Sequence, residues 1–149
     1  MSDPKVAVFF YGSYMNRAVL AEVSLAPDSW ETATLDGYEI RIAPRANLVP
    51  AASHTVYGVL SRLTHAELER LYAHAHDVLG ETYLPHPVLV KTRDGVTHAA
   101  LCYLASRMVE RPAEPAYVER ILAPARQLGF PEKYLRRIAG FSSRARAGS

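Results

Sequence analysis

Residues 5 to 11, KVAVFFY, are mostly β-branched or aromatic with little polar interruption, and a glycine follows at once. A run of this kind lacks the alternation of a half-exposed strand and predicts a central strand covered on both faces. The chain must then turn sharply at Gly12. From Asn16 to Val23 the apolar residues Val19, Leu20 and Val23 recur at helical spacing, so a short helix is expected straight after the turn.

The rest of the chain must build around that strand. Strands are expected at 32–42, 54–63, 81–92 and 97–105, with RDGV at 93–96 as the hairpin turn between the last two. Between the middle strands, Thr64 followed by Glu67 is a capping-box pattern. With the apolar stripe of Leu63, Leu68 and Leu71 it predicts one amphipathic helix. After an extended connector at 111–115 come two helices, the first stopped by Gly129 and the second opened by Pro131. Residues 142–149 read as a polar tail. At 149 residues and 49% hydrophobic, the chain suffices for one domain with a real core, spanning about 5–141. The element order predicts an α+β domain: a mixed, strongly curved sheet or small open β-barrel with flanking helices.

Composition narrows the function classes. The net charge is +2, but Arg120, Arg126, Lys133, Arg136, Arg137 and Arg144 gather near the C-terminus, with Arg146 beyond them. No aromatic-rich basic strand or recognition helix accompanies them, so a solvated helix face is expected rather than nucleic-acid binding. The single cysteine, Cys102, sits in AALCYLA, the composition of a buried strand rather than of an activated thiol. No leader pattern and no apolar run near the ~20 residues of a membrane span is present, which points to a cytoplasmic protein that does not engage membranes.

A tight turn between a buried strand and a helix leaves backbone N–H groups without partners, a setting that suits a carboxylate or phosphate. Gly12 would let a ligand approach the backbone, Ser13 could donate its hydroxyl or cap the helix, and Tyr11 and Tyr14 could wall a pocket. Equally, Gly12 could serve only the turn, Ser13 only as a cap and the tyrosines only as packing. One glycine does not make a nucleotide-binding fingerprint.

The stretch VFFYGSYMN resembles the strand-loop opening of the γ-glutamyl cyclotransferase-like superfamily, in which Tyr-Gly-Ser is commonly followed by Asn and an apolar residue. ATLDGYEIRI is similar to the family's second strand, and VYGVLSRLTHAELERL to the strand and helix before its catalytic position. PAYVERILAPARQLGFPEKYLRRI is similar to the C-terminal helices of its glutathione-pathway branch. The resemblance implies a pocket in which Tyr11, Gly12 and Ser13 hold the α-amino acid end of a γ-glutamyl group, with Val8, Phe9 and Phe10 completing the wall. It implies that Tyr117 closes the pocket over the ligand. The implied reaction is internal aminolysis: the glutamyl α-amine attacks its own γ-carbonyl and releases 5-oxoproline and an amine, as a transferase or lyase with no cofactor and no metal.

In the family a glutamate at the end of the ELERL helix takes the proton from the amine. Here that position holds Ala75 counted from Leu71, or His76 counted back from Tyr83, and Tyr14 stands where Asn is common. Three residues are candidates for the proton acceptor. Glu81 would share a face with Tyr83 if both lie in a strand; Asp77 follows the helix end; His76 could act as a base directly, histidine being the side chain whose unperturbed value, about 6.5, lies near neutrality. All three also suit plain surface positions. His74, His76 and Asp77 do not form an expected metal centre, because helix positions two apart diverge by about 200°. Two functions therefore stand: a cyclotransferase acting on a γ-glutamyl amine or peptide with a relocated base, or a non-catalytic member that binds a small amino-acid-like metabolite or a partner protein. The leaving amine and the oligomeric state are not set by these motifs.

Overall fold

The structure, a computed structural model, describes residues 4–142. The tail expected from 142 onward, with Arg144 and Arg146, therefore lies outside the described residues from 143 on. Strand β1 (Lys5–Phe10) is the buried run, and its last three residues are fully covered. A single 3-10 turn (Ser13–Met15) leads into the short helix α1 (Arg17–Ala21). There the helix cap is Asn16, whose side chain accepts from the Ala18 N–H at 3.0 Å, and not Ser13.

Strands β2 (Trp30–Ile42) and β3 (Ala46–Thr64) form a long antiparallel hairpin, Trp30 pairing with Ser61 at one end and Ile42 with Ala46 at the other. The register slips between Asp36 and Tyr38. β3 is thus eight residues longer at its start than the 54–63 expected. Its first half, ANLVPAAS, is short-chained and holds Pro50, so its strand character comes from pairing with β2 rather than from propensity. β4 (Leu84–Thr92) and β5 (Thr97–Leu104) form the second hairpin about the predicted turn at 93–96.

The strand order is β1-β3-β2-β4-β5, a mixed and strongly curved sheet whose two ends meet. The circuit closes through thin seams. β1 and β5 run parallel and register at Val8 and Leu101, while β2 and β4 register only at Ala33–Thr92 and Thr34–Lys91. Helix α3 (Pro115–Gln127) and helix α4 (Glu132–Ala139) cover the sheet, with Ile121 and Ile138 entirely buried in one core with Phe9, Ile40 and Leu63. No helix among the described residues is long and apolar enough to cross a membrane.

Helix α2 (His65–His74) starts on the expected capping box: Thr64 Oγ1 accepts from Glu67 N at 3.1 Å, and the Glu67 carboxylate accepts from Thr64 N at 2.8 Å. Its end differs from the single regular helix expected. Residues Ala75–Leu79 form a wider π-type turn, closed by Gly80 at φ 77°. Such wide turns are rare and tend to occur where a helix end serves a site. Glu81 to Tyr83 then run outside any strand, since β4 begins at Leu84. The shared-face expectation for Glu81 and Tyr83 is thereby corrected: the chain is still leaving the wide turn there, with Glu81 N donating to Ala75 O at 3.4 Å.

Removing the cap tests this reading of α2. Thr64→Ala deletes the acceptor for the Glu67 N–H and should cost about 1 kcal/mol of stability, as for N-cap residues generally, measured by urea unfolding.

Candidate functional site

The loop after β1 borders a small cavity. Its wall is nearly all aromatic. Six of the chain's nine tyrosines (Tyr11, Tyr14, Tyr72, Tyr83, Tyr103 and Tyr117) line it with Phe9 and Phe10, and Gly12, Ser13, Ala46 and Leu79 fill the spaces between. The rings come from β1 and its loop, α2, the segment before β4, β5 and α3.

The rings are fixed by one another and by their hydroxyls. Tyr72 stacks on Tyr103 at 3.7 Å between centroids and 10° between planes, and Tyr14 meets Tyr72 edge-on at 5.6 Å. The Tyr11 hydroxyl donates to Tyr103 O at 2.6 Å, Tyr14 to Leu71 O at 3.1 Å and Tyr83 to Ala46 O at 2.6 Å. The Tyr117 hydroxyl instead accepts from the Ala46 N–H at 3.0 Å. Tyr83 and Tyr117 so grip the two sides of one residue at the start of β3.

Gly12 has a structural reason of its own. Its φ of −115° demands no glycine, but a Cβ there would lie 2.6 Å from the Ala46 methyl. Its smallness thus serves the contact between the β1 loop and β3, where closeness to a ligand was the other expectation. Among the described residues, the backbone N–H groups of Gly12, Ser13 and Tyr14 donate to no carbonyl. All three residues are buried or nearly so and line the cavity. Unpaired buried N–H groups are costly, so an acceptor brought by a ligand suits this loop.

Burial shapes the acid-base character of the wall. Desolvation raises the Tyr11 and Tyr72 hydroxyls well above the ordinary tyrosine value, with smaller contributions from the neighbouring tyrosines, and it raises Tyr14 and Tyr83 likewise. Tyr117 is raised by burial too, against the smaller opposing effects of the Ala46 N–H, Ser13 and nearby arginines. None is a phenolate at neutral pH. Cys102, fully buried in β5, is pushed up to about 12 by desolvation and is an unreactive core thiol.

The residues singled out in the sequence separate into three groups. Phe9, Phe10, Tyr11, Gly12, Ser13 and Tyr117 line the cavity together, whereas Val8 is one layer deeper, completely buried in the sheet. Tyr117 forms wall rather than a lid, because α3 holds it in the core with its hydroxyl committed to Ala46. His76 and Asp77 face solvent with side chains 67% and 77% exposed, joined to each other at 3.2 Å. The wide turn sends them outward and brings Leu79 to the cavity, while Ala75 is buried. Glu81 is half-buried and close enough to Tyr83 to raise its hydroxyl further, but it is not among the lining residues. Tyr72, Tyr83 and Tyr103 were not expected in the wall; their one signal in the sequence is the excess of nine tyrosines over four phenylalanines.

The aromatic cavity lies at the end of β1, where that buried strand of the curved mixed sheet runs into the Tyr-Gly-Ser loop. The family model of gamma-glutamyl cyclotransferase, AIG2-like, matches residues 8–120, and the chain belongs to that family. Its function is accordingly cyclotransferase-like. The fold is shared with an uncharacterised protein from Homo sapiens at a TM-score of 0.78 and 19% identity, over 90% of this chain and 86% of that one. It is shared with a gamma-glutamyl cyclotransferase at 0.76 and 20%, over 91% and 86%. YkqA from Bacillus subtilis matches at 0.72 and 26% over 91% of this chain, which spans about half (53%) of YkqA. No curated protein matches the chain.

Two measurements test the wall. Tyr117→Phe leaves the buried Ala46 N–H unpaired and should cost about 1–3 kcal/mol in unfolding free energy, well beyond the loss of a surface hydroxyl. The raised tyrosines also set the alkaline limit. They hold their protons in the folded chain to higher pH than in the unfolded chain, so their contribution is complete below about pH 10 and is lost progressively above it. Urea midpoints should therefore be flat with pH up to that point as far as these groups are concerned, then fall.

Proposed function

We propose that the cavity receives the γ-glutamyl end of a small amide or peptide and that the chain closes it to 5-oxoproline. The observation that carries this reading is the loop of Gly12, Ser13 and Tyr14, whose unpaired N–H groups border the cavity of a γ-glutamyl cyclotransferase-family fold. The ligand's α-carboxylate takes those N–H groups, and the aromatic wall covers its methylene chain. The α-amine then attacks the γ-carbonyl carbon. A new C–N bond closes the five-membered lactam, the C–N bond to the leaving amine breaks, and the two protons that the α-ammonium gives up in becoming the lactam N–H end on that amine, which departs as an ammonium.

Those protons must pass through a group that titrates below the tyrosines. In this reading Glu81 carries them, working from the mouth beside Tyr83 rather than from the helix end, where Ala75 is buried and has no titratable atom. A second reading is favoured by the composition of the wall. Among its lining residues there is no carboxylate and no imidazole, as suits a protein that holds an amino-acid-like metabolite without turning it over.

One assay separates the two. Wild-type protein is given a panel of γ-glutamyl amines and dipeptides, 5-oxoproline release is followed, and 5-oxoproline binding is measured by calorimetry. Release by the wild type, reduced ~10²- to 10⁴-fold in Glu81→Gln with 5-oxoproline binding retained, is the expected result. Equal release by Glu81→Gln removes Glu81 from the mechanism and makes His76→Ala the next variant. Binding of 5-oxoproline with no release from any substrate establishes the non-catalytic reading.

A further inference from the structure

We propose that Arg45 reads the far end of the ligand, so that the site prefers a γ-glutamyl compound whose other end carries a carboxylate over one whose other end is uncharged. This rests on the reading of the cavity as a γ-glutamyl site and adds to it a selectivity residue and a ligand class.

None of the residues lining the cavity carries a formal charge, so the aromatic wall alone gives no means of telling an anionic leaving group from a neutral one. Arg45 is the cation fastened to that wall. It sits in the turn between β2 and β3, half-buried. Its guanidinium lies over the Tyr117 ring, 4.7 Å from the centroid, and its Nε donates to Leu79 O at 3.2 Å. Both partners are wall residues, from α3 and from the wide turn after α2. The cation is also close enough to Tyr83 to lower its hydroxyl against the larger rise from burial.

These contacts use the flat face of the guanidinium and one of its N–H groups. Its two terminal nitrogens make no hydrogen bond or ion pair among the described residues, whereas Arg41, Arg120, Arg126 and Arg137 each pair with a glutamate. Glu81 forms no ion pair with Arg45 among the described residues. What remains is a fork of N–H donors held in place and partly stripped of water. That is the geometry in which arginine binds a carboxylate through two parallel hydrogen bonds. Because stacking and the Nε bond already fix the side chain, little further ordering is needed to bind.

The neighbouring relief supplies room for the ligand's far end. Arg45 also lines an open cleft of about 890 Å³ with Asn47, His86, Leu104 and Ala105. The one carboxylate lining that cleft, Glu110, is engaged by Arg41 at 3.2 Å. A γ-glutamyl amino acid or short peptide seated with its head on the β1 loop would leave the cavity beside Arg45 and enter this cleft. A γ-glutamyl derivative of a plain amine would offer Arg45 nothing to bind.

The test compares γ-glutamylglycine with γ-glutamylmethylamide, which differ by the second carboxylate. Dissociation constants are measured by calorimetry on wild type, Arg45→Gln and Arg45→Lys, with 5-oxoproline followed in the same samples; where turnover occurs, kcat/KM replaces Kd. The wild type should favour the glycine compound by about tenfold or more, the usual scale of a charged hydrogen-bonded contact. The preference should shrink as salt is raised. Arg45→Gln should abolish it by weakening the glycine compound alone, and Arg45→Lys, which keeps the charge without the fork, should fall between. Equal binding of both compounds by the wild type overturns the proposal and leaves the γ-glutamyl reading standing. So does an Arg45→Gln that weakens both alike, which would make Arg45 a prop for Tyr117 and Leu79. Failure of the wild type to bind either compound overturns both readings together.

Discussion

The first residue of β3 is held from three sides, and the site exists because of it. Ala46 gives its N–H to Tyr117 of α3, its carbonyl to the Tyr83 hydroxyl and its methyl to the backbone of Gly12. The β1 loop and α3 are also joined by the Asn16 side chain, which donates to Arg120 O at 3.1 Å, and the seams that close the sheet are only one or two registered pairs long. Asn47 extends the same clamp by exchanging two hydrogen bonds with the Ala105 backbone, at 2.7 and 3.0 Å, beyond the end of β5. Hydrogen bonds of this buried kind each contribute modestly, but a broken one leaves a desolvated group exposed to its full cost. That asymmetry keeps an aromatic cavity open between elements that would otherwise collapse together.

A wall of tyrosines has a particular chemistry. Each hydroxyl donated to a backbone carbonyl satisfies a group that would be expensive to bury alone, and the ring supplies apolar surface on the cavity side. The cost is in proton transfer. Burial pushes these phenols away from ionisation, so the wall can bind and orient but cannot accept a proton at neutral pH. Whatever acid-base chemistry the site performs must come from its rim.

Much of the fold could be read from local signals, because those signals were local in origin. The KVAVFF run, the Thr64–Glu67 capping box and the 93–96 turn each need only a few neighbouring residues to act, and each appears where expected. The first half of β3 and the wide turn at Ala75–Leu79 were hidden, since one depends on partners supplied by β2 and the other on a single extra residue per turn. The site divides along the same line. Tyr11, Gly12 and Ser13 lie together in sequence and were legible, but Tyr72 and Tyr103 meet only when α2 crosses β5, and no spacing rule connects positions 72 and 103. The wide turn also decides the fate of the helix-end candidates. Ala75, four residues after Leu71, continues the buried stripe of Leu68 and Leu71, while His76 and Asp77 face solvent.

The same turn explains how charge is distributed about the cavity. A carboxylate at Ala75 would be wholly enclosed, and an enclosed carboxylate is tolerable only with partners that satisfy its charge. Alanine there is therefore consistent with a wall that has become entirely neutral. Two charged groups outside the lining, Glu81 and Arg45, both act on Tyr83, with opposite effect on its hydroxyl. Half-buried, neither bears the full desolvation cost of the interior. In the function proposed above, a neutral aromatic interior binds by shape, and the anion and cation acting on Tyr83 discriminate by charge.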